Sequence, residues 1–281
     1  FMHKYFFVLG RNYDLSKTEV ITLLNKLNFA PKIILESKEI LIIETAENLD
    51  AESLLKTLGG TIKIGEILEG FPIDEFIKNY KTLLIDINLL SRLFDPSLQK
   101  LTFGISFYKD DTTENINQIY PPIMKLLPEI KHFLSSSYKV NFFKSHERYI
   151  SSVSVNKNKL ITDGFELVII TSENQIFLGK TLSVQDFEDY SFRDYQRPER
   201  DMNEGIMPPK LAKIMINLSG ADKDQIILDP FCGNGTIIQE LILLGYKNIT
   251  GSDNSADQVL KTKQNLDWLF EKYKNLGRNE Y

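Results

Sequence analysis

The chain has 281 residues, 42% of them hydrophobic and 25% charged, and a formal net charge of −5. That length suits two or three domains of roughly 100–200 residues, no apolar run approaches the ~18 residues of a membrane-spanning helix, and the acidic balance excludes a protein that coats nucleic acid through global charge. One cysteine, Cys232, excludes an internal disulfide, and His3, His132 and His146 are too scattered to make a metal set, so the composition points to a reducing cytoplasm and no metal.

Phe1 stands ahead of Met2, which predicts an excised piece of a longer frame, and the opening FMHKYFFVLG is apolar for only a strand's length, with no secretory cleavage site. Tyr5 to Leu9 reads as a strand. A helix to about Asn28 follows, opened by a Ser16 cap with Glu19 three residues on. PKIILESKEILIIET reads as two strands joined at Ser37 and Lys38, Ala51 to Leu58 as a short helix, and TIKIGEIL, after the Gly59-Gly60 break, as another strand. This β-α-β-β-α-β order predicts a ferredoxin-like α+β domain over residues 1–72.

Residues 73–185 form a second α/β block. Helical spacing runs from Asp74 to Leu93, a strand covers 100–108, and helices run to Ser136. YKVNFF and YISSVSV then read as strands, and FELVIITS with QIFLGKTLSV as a closing pair. Between residues 131 and 160, six basic side chains (Lys131, Lys139, Lys144, Arg148, Lys157, Lys159) face the single acid Glu147. Composition alone makes that cluster a solvated surface patch.

The polar connector 186–209, with Pro198, Pro208 and Pro209, argues against a regular buried element. From residue 210 to 281 the order is helix, strand QIILDP, a glycine loop, helix, strand NITGSD and helix. That is the first half of a doubly wound, Rossmann-like fold. The loop lies in LDPFCGNGT, residues 228–236. A phosphate-cradling loop would need a lysine before the closing hydroxyl residue, and a dinucleotide fingerprint a third glycine where Ile238 stands; both are missing. What remains is Asp229 at the first strand end, Gly233, Gly235, and Asp253 at the end of the next strand. Carboxylates so placed suit a ligand with a positive group and a ribose diol but no phosphate, and S-adenosylmethionine has both. The competing explanation makes Asp229 and Asp253 plain helix caps.

DPFCGNGT resembles motif I of class I methyltransferases that modify exocyclic amines, and GSD at 251–253 resembles their second-strand acid. YSFRDYQRPERDMNEGIMPPKLAKIMINLSG resembles the segment before the catalytic domain in THUMP-containing tRNA guanosine-N2 methyltransferases of the Trm11 type, and LTFGISFY and FLGKTLSVQD resemble that group's THUMP domain. The resemblance implies S-adenosyl-L-methionine as cofactor, tRNA as partner, and a THUMP domain over 73–185 that binds the acceptor end. It implies that Asp229 contacts the methionine ammonium, that Gly233 and Gly235 make room beside Phe231, and that Thr236 starts the helix. Asp253 would hold the ribose, Asn254 would lie by the adenine, and Pro209 and Lys210 would help close the site. It also turns Lys144, Arg148, Lys157 and Lys159 into a phosphate-contacting face. The family's D/N-P-P-Y motif is absent, because the 28 residues after Asp253 contain no proline. Three alternatives follow: a fragment lacking its C-terminal half, one half of a split enzyme completed by a partner subunit, or a non-catalytic tRNA-binding protein.

Overall fold

The computed structural model describes residues 2–112, 116–200, 205–274 and 276. In chain order they form β1 (His3–Leu9), α1 (Tyr13–Lys26), β2 (Lys32–Glu36), β3 (Ile40–Thr45), α2 (Ala51–Thr57), β4 (Thr61–Pro72), α3 (Ile73–Leu84) and α4 (Ile87–Leu90). Next come β5 (Lys100–Lys109), α5 (Ile116–Met124), α6 (Leu127–Leu134), β6 (Lys139–Phe143), α7 (Ser152–Lys157), β7 (Gly164–Thr171) and β8 (Gln175–Val184). The remaining elements are α8 (Phe187–Tyr195), α9 (Pro209–Leu218), β9 (Ile226–Asp229), α10 (Thr236–Leu243), β10 (Asn248–Gly251) and α11 (Ala256–Lys272).

These elements divide into two compact units. The first comprises residues 1–14, 29–55 and 61–185, and the second residues 15–28, 56–60 and 186–281.

The first unit is built on one mixed eight-stranded sheet, β2-β3-β1-β4-β8-β7-β5-β6. Strand β4 pairs with β1 on one side and β8 on the other, so both expected blocks share a single sheet. All eight residues of β7 are buried. Alternate side chains explain why: Phe165, Leu167 and Ile169 join the core that holds Phe76, Ile123 and Ile130, while Val168 and Ile170 join Phe6, Ile40 and Phe177 on the other face. A strand covered on both faces carries an unbroken apolar run instead of an alternating one.

Two local expectations fail here. YISSVSV is not a strand. Ser151 Oγ accepts from Ser154 N and caps α7, and Ile150, Val155 and Leu160 pack together from either side of that helical turn. A hydroxyl cap with a short apolar cluster wins over the β-branched alternation. The span read as one helix from Asp74 to Leu93 is two, α3 and α4, with Asp86 capping the second through Asn88 N.

In the second unit, β9 and β10 run parallel with Asp229 opposite Gly251. Two small cores flank α10: Cys232, Ile238, Ile242 and Leu269 in one, Ile216, Leu241 and Tyr246 in the other. The connector does contain a helix, α8, capped by Asp186 Oδ1 accepting from Asp189 N, with Tyr190 and Arg193 buried. Its Arg193 is paired internally, which is why its polarity misleads. Arg193 Nε meets Glu240 Oε1 at 2.7 Å, and Lys213 Nζ lies 3.7 Å from Glu240 Oε2. Ser16 does not open α1, which starts at Tyr13 with Asp14 in its first turn. Instead of completing a capping box, Glu19 accepts from Gly59 N (2.8 Å), Gly60 N (2.9 Å) and Asn217 Nδ2 (2.7 Å).

Candidate functional site

The glycine loop between β9 and α10 is held by its own backbone and by two carboxylates. Ser252 N donates to Asp229 O and Cys232 N to Ser252 O, both at 2.9 Å, so the ends of the parallel strands are stitched together. Asp229 Oδ1 accepts from Phe231 N at 3.2 Å, and Asp253 accepts from Gly233 N and Ser255 N, each at 3.0 Å. Gly233 and Gly235 take φ of +51° and +82°, the left-handed region where a Cβ is penalised. They differ in surroundings. A Cβ on Gly235 would lie 2.8 Å from Thr262 Cγ2, whereas one on Gly233 would meet nothing within 4 Å. Gly235 is thus required for packing, and Gly233 leaves its space to whatever enters the cavity.

That cavity holds about 560 Å³. Of the nine residues predicted for the cofactor, Asp229, Phe231, Gly233, Thr236 and Asp253 line it, together with Cys232, Asn234, Gln258, Leu211 and the Gly205–Pro208 stretch. Gly235, Asn254, Pro209 and Lys210 lie outside the lining. Pro209 is buried at the start of α9, Asn254 is exposed, and Lys210 Nζ sits 5.1 Å from the Tyr190 ring centre.

The two acids differ electrostatically. Burial, reinforced by the Asp253 charge, raises the Asp229 carboxyl above its ordinary range, while the backbone N–H groups of Ser255 and Gly233 hold Asp253 below it. Asp229 has no basic partner among the described residues. Burial pushes the Cys232 thiol up, so the only cysteine is a protonated packing group and no nucleophile.

Sequence reasoning missed two positions here. Asn265, on α11, donates from Nδ2 to both Glu199 O and Asn234 O at 2.9 Å, tying the connector to the glycine loop. Arg197 Nη1 donates to Thr236 Oγ1 at 2.5 Å. Neither has a local signal, because both act across 31 residues or more.

In the first unit the four predicted RNA contacts are dispersed. Lys144 and Lys157 are exposed, Lys159 pairs with Asp163 at 3.3 Å, and Arg148 is half-buried against Glu39. Of the four, only Arg148 lines a second cavity of about 500 Å³, with Arg11, Lys38, Lys63, Tyr108 and Tyr149. Tyr108 and Tyr149 are stacked there, with ring centres 5.8 Å apart. Beneath them Glu166 collects Lys63 Nζ, Ser106 Oγ and Thr181 Oγ1, each at 2.5 Å.

The site thus combines two parallel strands, a glycine turn and a carboxylate at each strand tip, with no lysine of a phosphate-cradling loop. Residues 197–279 match the family model described as UPF0020, the RMKL-like methyltransferase domain. Similarity to curated proteins extends beyond that domain. The chain is 26% identical over 195 residues (69% of this chain, 48% of the relative) to a tRNA (guanine(10)-N2)-dimethyltransferase of Methanocaldococcus jannaschii. It is 47% identical over 62 residues (22% and 18%) to one of Methanothermobacter thermautotrophicus, and 31% identical over 99 residues (34% and 29%) to one of Pyrococcus abyssi. The chain spans about half the length, or less, of these relatives. The crystal structure of TrmN from Thermus thermophilus shares the fold, with a TM-score of 0.55 at 14% identity over 95% of this chain and 70% of that one. Residues 197–279 are thus similar to the RMKL-like methyltransferase domain, and the chain resembles archaeal tRNA (guanine(10)-N2)-dimethyltransferases over part of their length.

Proposed function

We propose that this chain carries the cofactor-binding part and the tRNA-binding part of an S-adenosylmethionine-dependent enzyme that methylates a guanosine N2 amine in tRNA. The carrying observation is the pair Asp229 and Asp253 at adjacent parallel strand ends around a cavity of about 560 Å³, with the Asp253 carboxylate fixed by Gly233 N. A buried acid with no basic partner and a glycine whose Cβ position stands open fit a cationic nucleoside. Asp229 would take the ammonium and Asp253 the ribose hydroxyls; Phe231, 84% exposed at the rim, would cover the ligand. Gly233, Gly235 and Thr236 shape the turn beside it, Asn254 would flank the adenine, and Pro209 and Lys210 would help close the site. The cofactor supplies an electrophilic methyl group; no residue of this chain is assigned to the transfer step itself.

The acid pair predicts a pH dependence. Ammonium binding needs Asp229 ionised, so affinity should be level at neutral pH and fall as pH drops through a carboxyl raised above its ordinary 3.8, while Asp253 stays charged. Titration calorimetry with S-adenosylhomocysteine across pH 4–7 checks this: Asp229→Asn should remove the acidic limb, and an unchanged limb would assign it elsewhere.

We assign residues 1–72 to a ferredoxin-like domain and 73–185 to a THUMP domain that meets the tRNA acceptor end. Exposed Lys144 and Lys157 would contact phosphates, together with Arg148 and Lys159, which pair with Glu39 and Asp163. Reversing Lys144 and Lys157 to glutamate should weaken tRNA binding and flatten its salt dependence by about one unit of slope per lost contact. Filter binding at several salt concentrations tests it; equal slopes would return the patch to plain surface.

A dependence on further polypeptide is favoured by one observation. Ile226 and Leu228 on β9 are 82% and 59% exposed, an apolar strand that a larger sheet would cover. A C-terminal half or a partner subunit would meet that need.

A further inference from the structure

Among the described residues, the cavity of the second unit is lined by two acids, Asp229 and Asp253, and by no basic side chain. An amino-acid end bears a carboxylate as well as an ammonium, and two acids repel the first as much as they attract the second. A cation facing the carboxylate would balance them. Arg197 is 3% exposed and reaches the cavity wall through a single bond, from Nη1 to Thr236 Oγ1 at 2.5 Å. Its Nε and Nη2 are buried and have no hydrogen-bond partner among the described residues. The contrast with Arg193, on the preceding helix, is direct: that guanidinium meets Glu240, Asp189 and Tyr273. Arg197 makes no ion pair among the described residues, and its neighbour Arg200 also keeps a buried Nε without a partner. Burial and the Arg200 charge lower the Arg197 pKa, with Asp194 opposing them, and the guanidinium stays protonated. A buried cation with two idle donors is a costly arrangement unless an anion completes it. Thr236 fixes where that anion would sit. Its hydroxyl takes the Arg197 bond and turns its own proton to Asn234 Oδ1 at 3.3 Å, at the first residue of α10, where helix N–H groups also favour negative charge.

We propose that Arg197 is the counter-ion for the carboxylate of an amino-acid-bearing nucleoside, bound beside Thr236 at the start of α10 and opposite Asp229. The assignment rests on the S-adenosylmethionine reading of the cavity and makes the site dipolar: acid for the ammonium, guanidinium for the carboxylate.

The test compares two ligands in the uninterrupted reading frame that contains these residues: S-adenosylhomocysteine, and 5′-methylthioadenosine, which lacks the amino-acid end. The unaltered protein should prefer S-adenosylhomocysteine at least tenfold. Arg197→Met should reduce that preference to under threefold while leaving 5′-methylthioadenosine affinity unchanged, and Arg197→Lys should restore part of it. An undiminished preference in Arg197→Met, or an equal loss for both ligands, would overturn the assignment. Should Arg197→Met not fold, the decarboxylated form of S-adenosylhomocysteine decides on the unaltered protein: binding tenfold weaker than the parent supports a carboxylate site, and equal binding removes it. Failure of the unaltered protein to bind any of these nucleosides would instead defeat the cofactor reading.

Discussion

Glu240→Ala should destabilise the second unit by about 3–5 kcal/mol, the cost of leaving buried cations without their acid. Glu240 is 1% exposed, and it holds Arg193 at 2.7 Å and Lys213 at 3.7 Å, both nearly as buried. The balance differs for the two cations. Burial alone would lower Arg193, but Glu240 and Asp189 overcome it and leave the guanidinium raised. For Lys213 burial prevails over Glu240 and the ammonium is lowered. Removing the shared acid strips the main compensation from both; Asp189 still pairs with Arg193, and Lys213 keeps only the weaker fields of Asp189 and Glu19. Replacing Glu240, Arg193 and Lys213 together by apolar residues of similar volume should cost less than Glu240→Ala alone, because the desolvation penalty leaves with the charges. Urea unfolding measures both variants. A loss below about 1 kcal/mol for Glu240→Ala would mean the network is effectively solvated.

Asp253→Ala should lower nucleoside affinity about 10–100-fold, since the diol loses two hydrogen bonds to a charged acceptor and water recovers only part of them. It should also loosen the loop, because the same carboxylate holds Gly233 N and Ser255 N. Asp253→Asn separates the two roles: the amide oxygen can still accept from one backbone N–H, so the loop is largely kept while the charged acceptor of the diol is lost. Asp229→Ala should match it in affinity with little effect on the loop, for Asp229 holds only Phe231 N. Calorimetry with S-adenosylhomocysteine, paired with thermal unfolding, distinguishes these effects. Full affinity in both alanine variants would remove the acids from the site.

Much of the site was legible because its chemistry is local. The acid, the two glycines and the next-strand acid follow one another along a strand-turn-helix-strand segment, and period and spacing place them at one sheet end. Arg197 and Asn265 were not legible, since each works through partners 39 and 31 residues away. The strand reading of YISSVSV failed for a related reason: Ser151 as a cap is local, but the burial of Ile150, Val155 and Leu160 that sustains the turn is tertiary. The connector misled through its charges. Its polarity and prolines argue against a regular buried element, yet it holds α8, and Arg193 and Arg197 are 3% exposed. Sequence shows that charges are present, and only the fold shows which ones face each other. The continuous sheet across β4 and β8 was hidden in the same way, because strand pairing over more than 100 residues leaves no periodic trace.

Methyl transfer from labelled S-adenosylmethionine to an unmodified tRNA transcript, with the product nucleosides separated, tests the guanosine-N2 methylation proposed above most directly. The reading frame containing these 281 residues should place label in N2-methylated guanosine, and Asp229→Ala and Asp253→Ala should each reduce it at least tenfold. Label in a different nucleoside, or undiminished transfer by both variants, would contradict it.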